Sequence, residues 1–254
     1  MKTMRIAAAI AVASGLAFLA TPGAQAQQKD SLTIGLTLEP PHLDPTAGAA
    51  AAIDEIVYAN LFEGLTRIDD NGAVQPQLAE SWDVSGDGLV YTFTLQDGVK
   101  FHDGTNFDAD DVVFSLDRAR ADGSVNAQKQ LFAAIDTVEA VDARTARITL
   151  SRPKSALLFN LGWGDAVMVA RESAATNKVA PIGTGPFKFD RWVRGSQIRL
   201  VATDDTRAIR KVTFRFVPDP SAQIAALKAG DIDAVSNLQA PEAVLALQAD
   251  PNFE

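Results

Sequence analysis

The chain has 254 residues, 47% hydrophobic and 22% charged. That is enough apolar material for one large or two small domains with a buried core, and too much for wholesale disorder. It has no cysteine and two histidines, His42 and His102, which removes disulfides, thiolate metal sites, cysteine nucleophiles and histidine-rich metal centres. Its 32 acidic against 23 basic residues leave a formal charge of −9 with no basic stripe, the opposite of a nucleic-acid binder.

The amino terminus reads as an address. Lys2 and Arg5 precede an apolar run over residues 6–20, and Ala24-Gln25-Ala26 places small residues three and one before Gln27. This is the layout of a secretory signal peptide cleaved between Ala26 and Gln27. The apolar run falls short of the roughly 20 residues that span a bilayer. No cysteine follows it, so the exported product is expected to be soluble and without a lipid anchor.

Residues 32–36 alternate as a strand. Pro40, Pro41 and Pro45 then forbid a helix and predict a stiff, exposed loop. Ile53, Ile56, Val57 and Leu61 recur at helical spacing and predict a helix over residues 49–65. Residues 81–84 form a short strand, Gly86-Asp87-Gly88 a hairpin turn, and Leu89, Tyr91, Phe93 and Leu95 the apolar face of the returning strand. Asp108 reads as a helix N-cap, with Asp110 and Asp111 in the first turn. Strand pairs are expected at 138–141 with 146–150 and at 187–189 with 198–201, and a further strand at 212–217. Asp219-Pro220-Ser221 opens a helix that Gly230 closes, residues 232–235 form a short strand or turn, and residues 241–248 a last helix. The irregular mixture of strands and helices, without a fixed repeat, predicts a mixed α/β (α+β) fold.

Chemistry-bearing motifs are scarce. There is no phosphate-binding glycine loop and no Gly-x-Ser-x-Gly elbow. The adjacent acids Asp69-Asp70, Asp110-Asp111 and Asp204-Asp205 suit turns and caps, and His42 and His102 have no third ligand to share a metal. No cofactor is implied. Trp82 and Trp192 sit among alternating apolar residues and read as core. Trp163 is flanked by Gly162 and Gly164, which suits either a packed loop anchor or a ring presented to a ligand.

Residues 79–95 read AESWDVSGDGLVYTFTL and run on into GVKFHDG at 98–104, then Phe107, Ala109, Asp110, Asp111, Val112, Phe114 and Ser115. This block resembles the signature of family 5 extracellular solute-binding proteins, the periplasmic peptide, nickel and glycoside receptors of ABC importers. PIGTGPF at 181–187, AALKAGDID at 225–233 and LEPPHLDP at 38–45 agree with it. The resemblance implies a lobe of the type II periplasmic-binding-protein fold. Residues 27–46 and 180–236 would form its core, 47–179 an inserted subdomain with connecting segments, and 237–254 the start of the crossover to a second lobe that is missing.

It also implies a periplasmic receptor, not an enzyme, that captures a small peptide-like solute and hands it to membrane permease subunits. Ligand-facing residues carried over are Glu39, Pro40 and His42 in the first cleft loop and Trp163, Gly164 and Asp165 in a second. One lobe alone is expected to bind weakly and to self-associate, with a separate chain as a candidate source of the other lobe. A non-transport interaction or chaperone-like module is the competing reading, and a secreted hydrolase the more distant one.

Overall fold

The computed structural model describes residues 29–48, 50–251 and 253. The expected leader and its cleavage point between Ala26 and Gln27 lie outside them. In chain order the elements are β1 (Ser31–Leu36), a 3-10 turn (Pro45–Ala47), α1 (Ala51–Val57), β2 (Thr66–Ile68), β3 (Val74–Pro76), β4 (Ala79–Val84), β5 (Val90–Leu95), α2 (Ala109–Arg120), β6 (Ile135–Asp142), β7 (Thr145–Leu150) and α3 (Leu157–Asn160). Then follow β8 (Phe187–Val193), β9 (Gln197–Ala202), β10 (Lys211–Phe216), α4 (Pro220–Ala229), β11 (Ala234–Val235) and α5 (Pro241–Gln248).

Two larger sheets organise the chain. The first is mixed, in the order β11-β1-β10-β9-β8. Here β1 lies parallel to β10, with Ile34 opposite Phe214, and β10-β9-β8 run antiparallel. The expected association of the first strand with the strands near 187–217 is therefore direct. The second sheet is an antiparallel meander in the order β4-β5-β7-β6. Tyr91, Phe93 and Leu95 of β5 point inward as their alternation requires. Gly88, at φ +70°, makes the β4–β5 turn.

The helix boundaries follow local chemistry. Asp108 and Asp111 form a reciprocal capping box at the start of α2: the Asp108 side chain accepts from backbone amides of the first turn, and the Asp111 carboxylate accepts from the Asp108 amide. Asp219 caps α4 through the Ala222 amide, and Gly230 ends it at φ +75°.

One helix is shorter than its periodicity predicts. Residues 49–65 do not form a single helix: α1 stops at Val57, and Ala59 takes φ +57°. The carbonyls beyond it are used elsewhere. Asn60 O accepts from Phe187 N at 3.0 Å, and Leu61 O accepts from Gly185 N at 2.9 Å. Ile53, Ile56, Val57 and Leu61 are all buried as predicted, so the apolar pattern holds while tertiary bonding overrides the helix. The small hairpin β2–β3 and the single turn α3 were not anticipated.

That contact explains the glycines of residues 181–187. A Cβ on Gly183 would lie 1.9 Å from Leu61 O, and one on Gly185 would lie 2.5 Å from Asn60 O. His102 clamps the same stretch. Its backbone amide donates to Gly183 O at 2.9 Å, its Nδ1 accepts from Gly183 N at 3.3 Å, and its Nε2 faces Gly185 O at 2.9 Å. An amide can only donate and a carbonyl only accept, so the ring is neutral with its proton on Nε2. Burial, the main cause, holds its pKa below the usual histidine value.

The loop after β1 is tied to the second sheet's helix. Asp44 is fully buried, accepts from Thr46 N at 3.0 Å and Thr46 Oγ1 at 2.7 Å, and pairs with Arg118 Nη2 at 2.8 Å. Two apolar cores result. One lies between the second sheet and α2, around Phe93, Phe132, Leu116 and Ile148. The other lies between the first sheet and α1, around Leu36, Ile56, Phe62 and Leu200.

Gly183→Ala is expected to lower unfolding free energy by about 2 kcal/mol or more, because backbone oxygen cannot yield to the new methyl. Gly86→Ala, whose Cβ would meet nothing within 4 Å, should leave the thermal midpoint almost unchanged. Arg118→Met should cost about 2 kcal/mol, less than a fully buried pair because the guanidinium is partly solvated. Chemical denaturation of Gly183→Ala and Arg118→Met and a thermal melt of Gly86→Ala check the three statements.

Candidate functional site

The 3-10 turn that follows the first loop packs against a second 3-10 turn at Gly164–Ala166, so the two loops proposed from sequence meet. Their residues are placed differently. Glu39 is turned toward the β8–β9 hairpin: its carboxylate accepts from Trp192 Nε1 at 2.9 Å and from Gly195 N at 3.0 Å. Gly195 is at φ +71°, and Arg194 lies over the Trp192 ring at 3.3 Å from its centroid. Pro40 is buried. His42 is half-buried. Its Nδ1 accepts from Asp44 N at 3.3 Å, and its ring sits where a Cβ on Gly48 would be, 2.8 Å from Nε2. Burial, reinforced by the nearby charge of Lys178, holds its pKa below the usual value.

The second loop opens onto a cleft of roughly 380 Å³ lined by Asp54, Tyr58, Ile68, Phe159, Gly162, Trp163 and Gly164. The Trp163 indole is 43% exposed and meets Phe159 edge-on, with centroids 6.2 Å apart. Tyr58 closes the rim by donating from its hydroxyl to Gly162 O. A Cβ on Gly164 would lie 2.9 Å from Asp54 Oδ1, so a side chain there would make the Asp54 carboxylate shift. Asp165 is only 7% exposed, and its carbonyl is held by Asn126 Nδ2 at 2.8 Å. Asp54, Tyr58 and Phe159 were not singled out from sequence. Asp54 is an acid set among the buried Ile53, Ile56 and Val57 of α1, a placement that was its available signal.

Two acids at or next to this cleft are shifted. Burial pushes Asp54 up to about 6. Burial, and then the charge of Asp54, push Asp165 up to about 6. A larger cavity of roughly 510 Å³ at the start of α2 is also acidic. There Asp108 and Asp111 are committed to the capping box. Among the described residues no group of three His, Asp or Glu side chains is disposed to hold a metal ion, and no helix is long and apolar enough to cross a membrane. The cleft combines aromatic walls with the Asp54 carboxylate, an arrangement suited to non-covalent recognition.

Asp165→Asn is expected to raise stability at pH 7.5 by about 1–3 kcal/mol, since an amide escapes the desolvation and repulsion that raise the carboxyl. The folded carboxyl takes up its proton near pH 6 and the unfolded one near 3.8, so the parent recovers stability as pH falls through 6. The advantage of the variant should shrink over that range and vanish near pH 4. His42 and His102, with lowered values, act in the opposite direction in both proteins and cancel in the comparison. Melts of both chains across pH 4–8 measure it.

Comparison with known proteins agrees with this architecture. The family of bacterial extracellular solute-binding proteins, family 5 (middle), matches residues 73–254. Di/tripeptide-binding protein 2 of Pseudomonas aeruginosa is 32% identical over 94% of this chain and 50% of its own length. The PBP AgaA from A. tumefaciens R10, solved with agropinic acid, superposes with a TM-score of 0.81 at 31% identity, covering 87% of this chain and 46% of that one. The periplasmic binding protein DppA of Helicobacter pylori, solved with the peptide STSA, superposes with a TM-score of 0.78 at 28% identity, covering 87% and 49%. The chain spans about half the length of the curated relatives it matches. These relatives are binding proteins, and the mixed α/β architecture expected from sequence is theirs. The chain belongs to the family 5 bacterial extracellular solute-binding proteins.

Proposed function

We propose that this chain serves as solute-binding component of an ABC importer, capturing a small peptide-like solute without covalent chemistry and delivering it to permease subunits in the membrane. The observation that carries this is the cleft beside Trp163, where an exposed indole and the Asp54 carboxylate stand next to the loop that follows β1. Receptors of this kind need a concave surface, a few directed polar groups and a closing motion. The relatives' di/tripeptide and peptide ligands support a peptide-like solute here.

In this reading Trp163, Gly164 and Asp165 supply the aromatic and acidic wall. Glu39, Pro40 and His42 form the neighbouring loop, with Glu39 acting by holding the loop against Trp192 and Gly195. Residues 27–46 and 180–236 form the lobe core, 47–179 the inserted subdomain with α1 as a connecting segment, and 237–254 the approach to a second lobe. Residues 1–26 direct export to the periplasm and are removed before Gln27.

A ligand resting on one wall keeps the other side in water, where polar contacts are weak. Calorimetric titration with a di- and tripeptide library is therefore expected to show millimolar or undetectable binding by this chain alone. Supplying the second half of the Pseudomonas relative in trans should tighten it to the micromolar range. Silence across the library in both arms would overturn the reading.

A further inference from the structure

We propose that the outer face of the first sheet, over β8, β9 and β10, docks the chain on an anionic lipid surface. The observation that carries it is a basic array on an acidic chain: Lys188, Arg191, Arg199, Lys211 and Arg215 share that face. The proposal goes beyond the receptor reading and does not depend on it.

Strand register builds the array. Lys188, Val201 and Lys211 stand in one row across the three strands, Arg191, Arg199 and Thr213 in the next, and Val193, Gln197 and Arg215 in a third. Alternation turns these residues outward, because Phe189, Ile198, Leu200, Val212 and Phe214 pack into the core on the inner face. No run of bases marks the face in the sequence, since they are interleaved with core residues; the sheet gathers them. Residues 187–217 hold eight bases against three acids, in a chain of net charge −9. Of those acids, Asp190 pairs with Arg199, while Asp204 and Asp205 lie beyond the end of β9, where Asp204 is held by Thr206. Asp30, at the β1 side, bonds to Lys211 through its backbone carbonyl. Among the described residues Lys188, Arg191, Lys211 and Arg215 are exposed and have no ion pair.

Shape and margin choose the partner. Strands lie about 4.8 Å apart and alternate residues about 6.8 Å apart along them, so the five cations occupy a plane of roughly 10 by 14 Å. A flat array of separate charges matches a surface of many phosphate groups, each cation adding its own attraction. The margin is amphipathic. At the β8–β9 turn Val193 is 45% exposed and Arg194 lies over the Trp192 ring. Leu38, 65% exposed, stands in the loop whose Glu39 is bonded to that turn. Apolar and aromatic groups beside cations suit the boundary between headgroups and water. Screening confines repulsion from the acidic remainder of the chain to about 8 Å at physiological salt, so the local array decides. A second copy is the poorer occupant, because two chains of charge −9 repel.

The test uses residues 27–254, which hold every described residue and omit the basic, apolar leader that would itself bind lipid. Co-sedimentation is measured with vesicles of phosphatidylcholine alone and of phosphatidylcholine with one quarter phosphatidylglycerol, at about 50 and 300 mM salt. Binding is expected only to the anionic vesicles, and it should fade at the higher salt. The triple variant Arg191→Gln, Lys211→Gln, Arg215→Gln should bind about tenfold more weakly or worse. A control triple with the same change of net charge, Lys100→Gln, Arg152→Gln, Lys228→Gln, should bind as the parent does. All six positions are exposed and without ion pairs among the described residues, and melting curves establish that both variants fold. No preference for anionic vesicles, or equal loss in the two triples, overturns the proposal. Tighter binding to polyglutamate than to the vesicles would assign the face to an acidic protein, and a salt-sensitive dimer lost in the first triple would assign it to a second copy. Either result overturns the lipid reading, and none of these outcomes touches the receptor reading.

Discussion

Residues 166–170, from the end of the 3-10 turn onward, form a buried segment that both cores depend on. Ala166, Met168 and Ala170 point into the core beneath the four-stranded sheet, whereas Val167 and Val169 point into the core beneath the five-stranded one. All five are at most 2% exposed. Burial of Val167, Met168 and Val169 contributes about 1.5–3 kcal/mol each. The two-residue period makes the partition unforgiving, because a slip by one residue would exchange every side chain between the cores. Polar contacts hold the register: Met168 N donates to Glu63 O at 2.8 Å, and Val169 N donates to Ser115 Oγ at 2.9 Å.

The candidate site inherits its geometry from this segment. Trp163, Gly164 and Asp165 immediately precede it, so a buried segment fixed by its packing positions a loop whose indole reaches solvent. Asp54 and Tyr58 approach from the other side on α1, whose apolar face packs in the same core as Val167 and Val169. The cleft thus lies where two cores abut, and its shape is set by packing beneath it. Loops that carry function are commonly displayed on a rigid scaffold in this way.

The polar devices in the interior share one logic. His102 spends both ring nitrogens on the backbone of Gly183 and Gly185, Asp44 is satisfied by Thr46 and Arg118, and Ser115 bridges to Val169. Each ties elements far apart in the chain, and each is fully or largely bonded, as a low-dielectric interior requires. The carboxylates of Asp54 and Asp165 depart from that logic, and Asp54 does so at the wall of a cleft. Perturbed acids without structural partners are characteristic of sites that meet a ligand.

Much of the local structure was legible in the residues themselves. Alternation in β5 and β10, the caps at Asp108 and Asp219, the closing Gly230 and the turn at Gly86-Asp87-Gly88 each rest on chemistry within a few positions. The signature blocks identified the family, and with it the pairing of β1 with strands some 180 residues away, which no local pattern carries. Tertiary structure alone decided the rest. It ended α1 at Val57, because the carbonyls of Asn60 and Leu61 bond to residues 185–187. It turned Glu39 toward Trp192, exposed Trp163, and set Asp54 beside Asp165 across more than a hundred residues of chain. Short-range order follows from steric and hydrogen-bonding preferences of neighbours, whereas a site made of distant residues exists only once two cores have packed against a common segment.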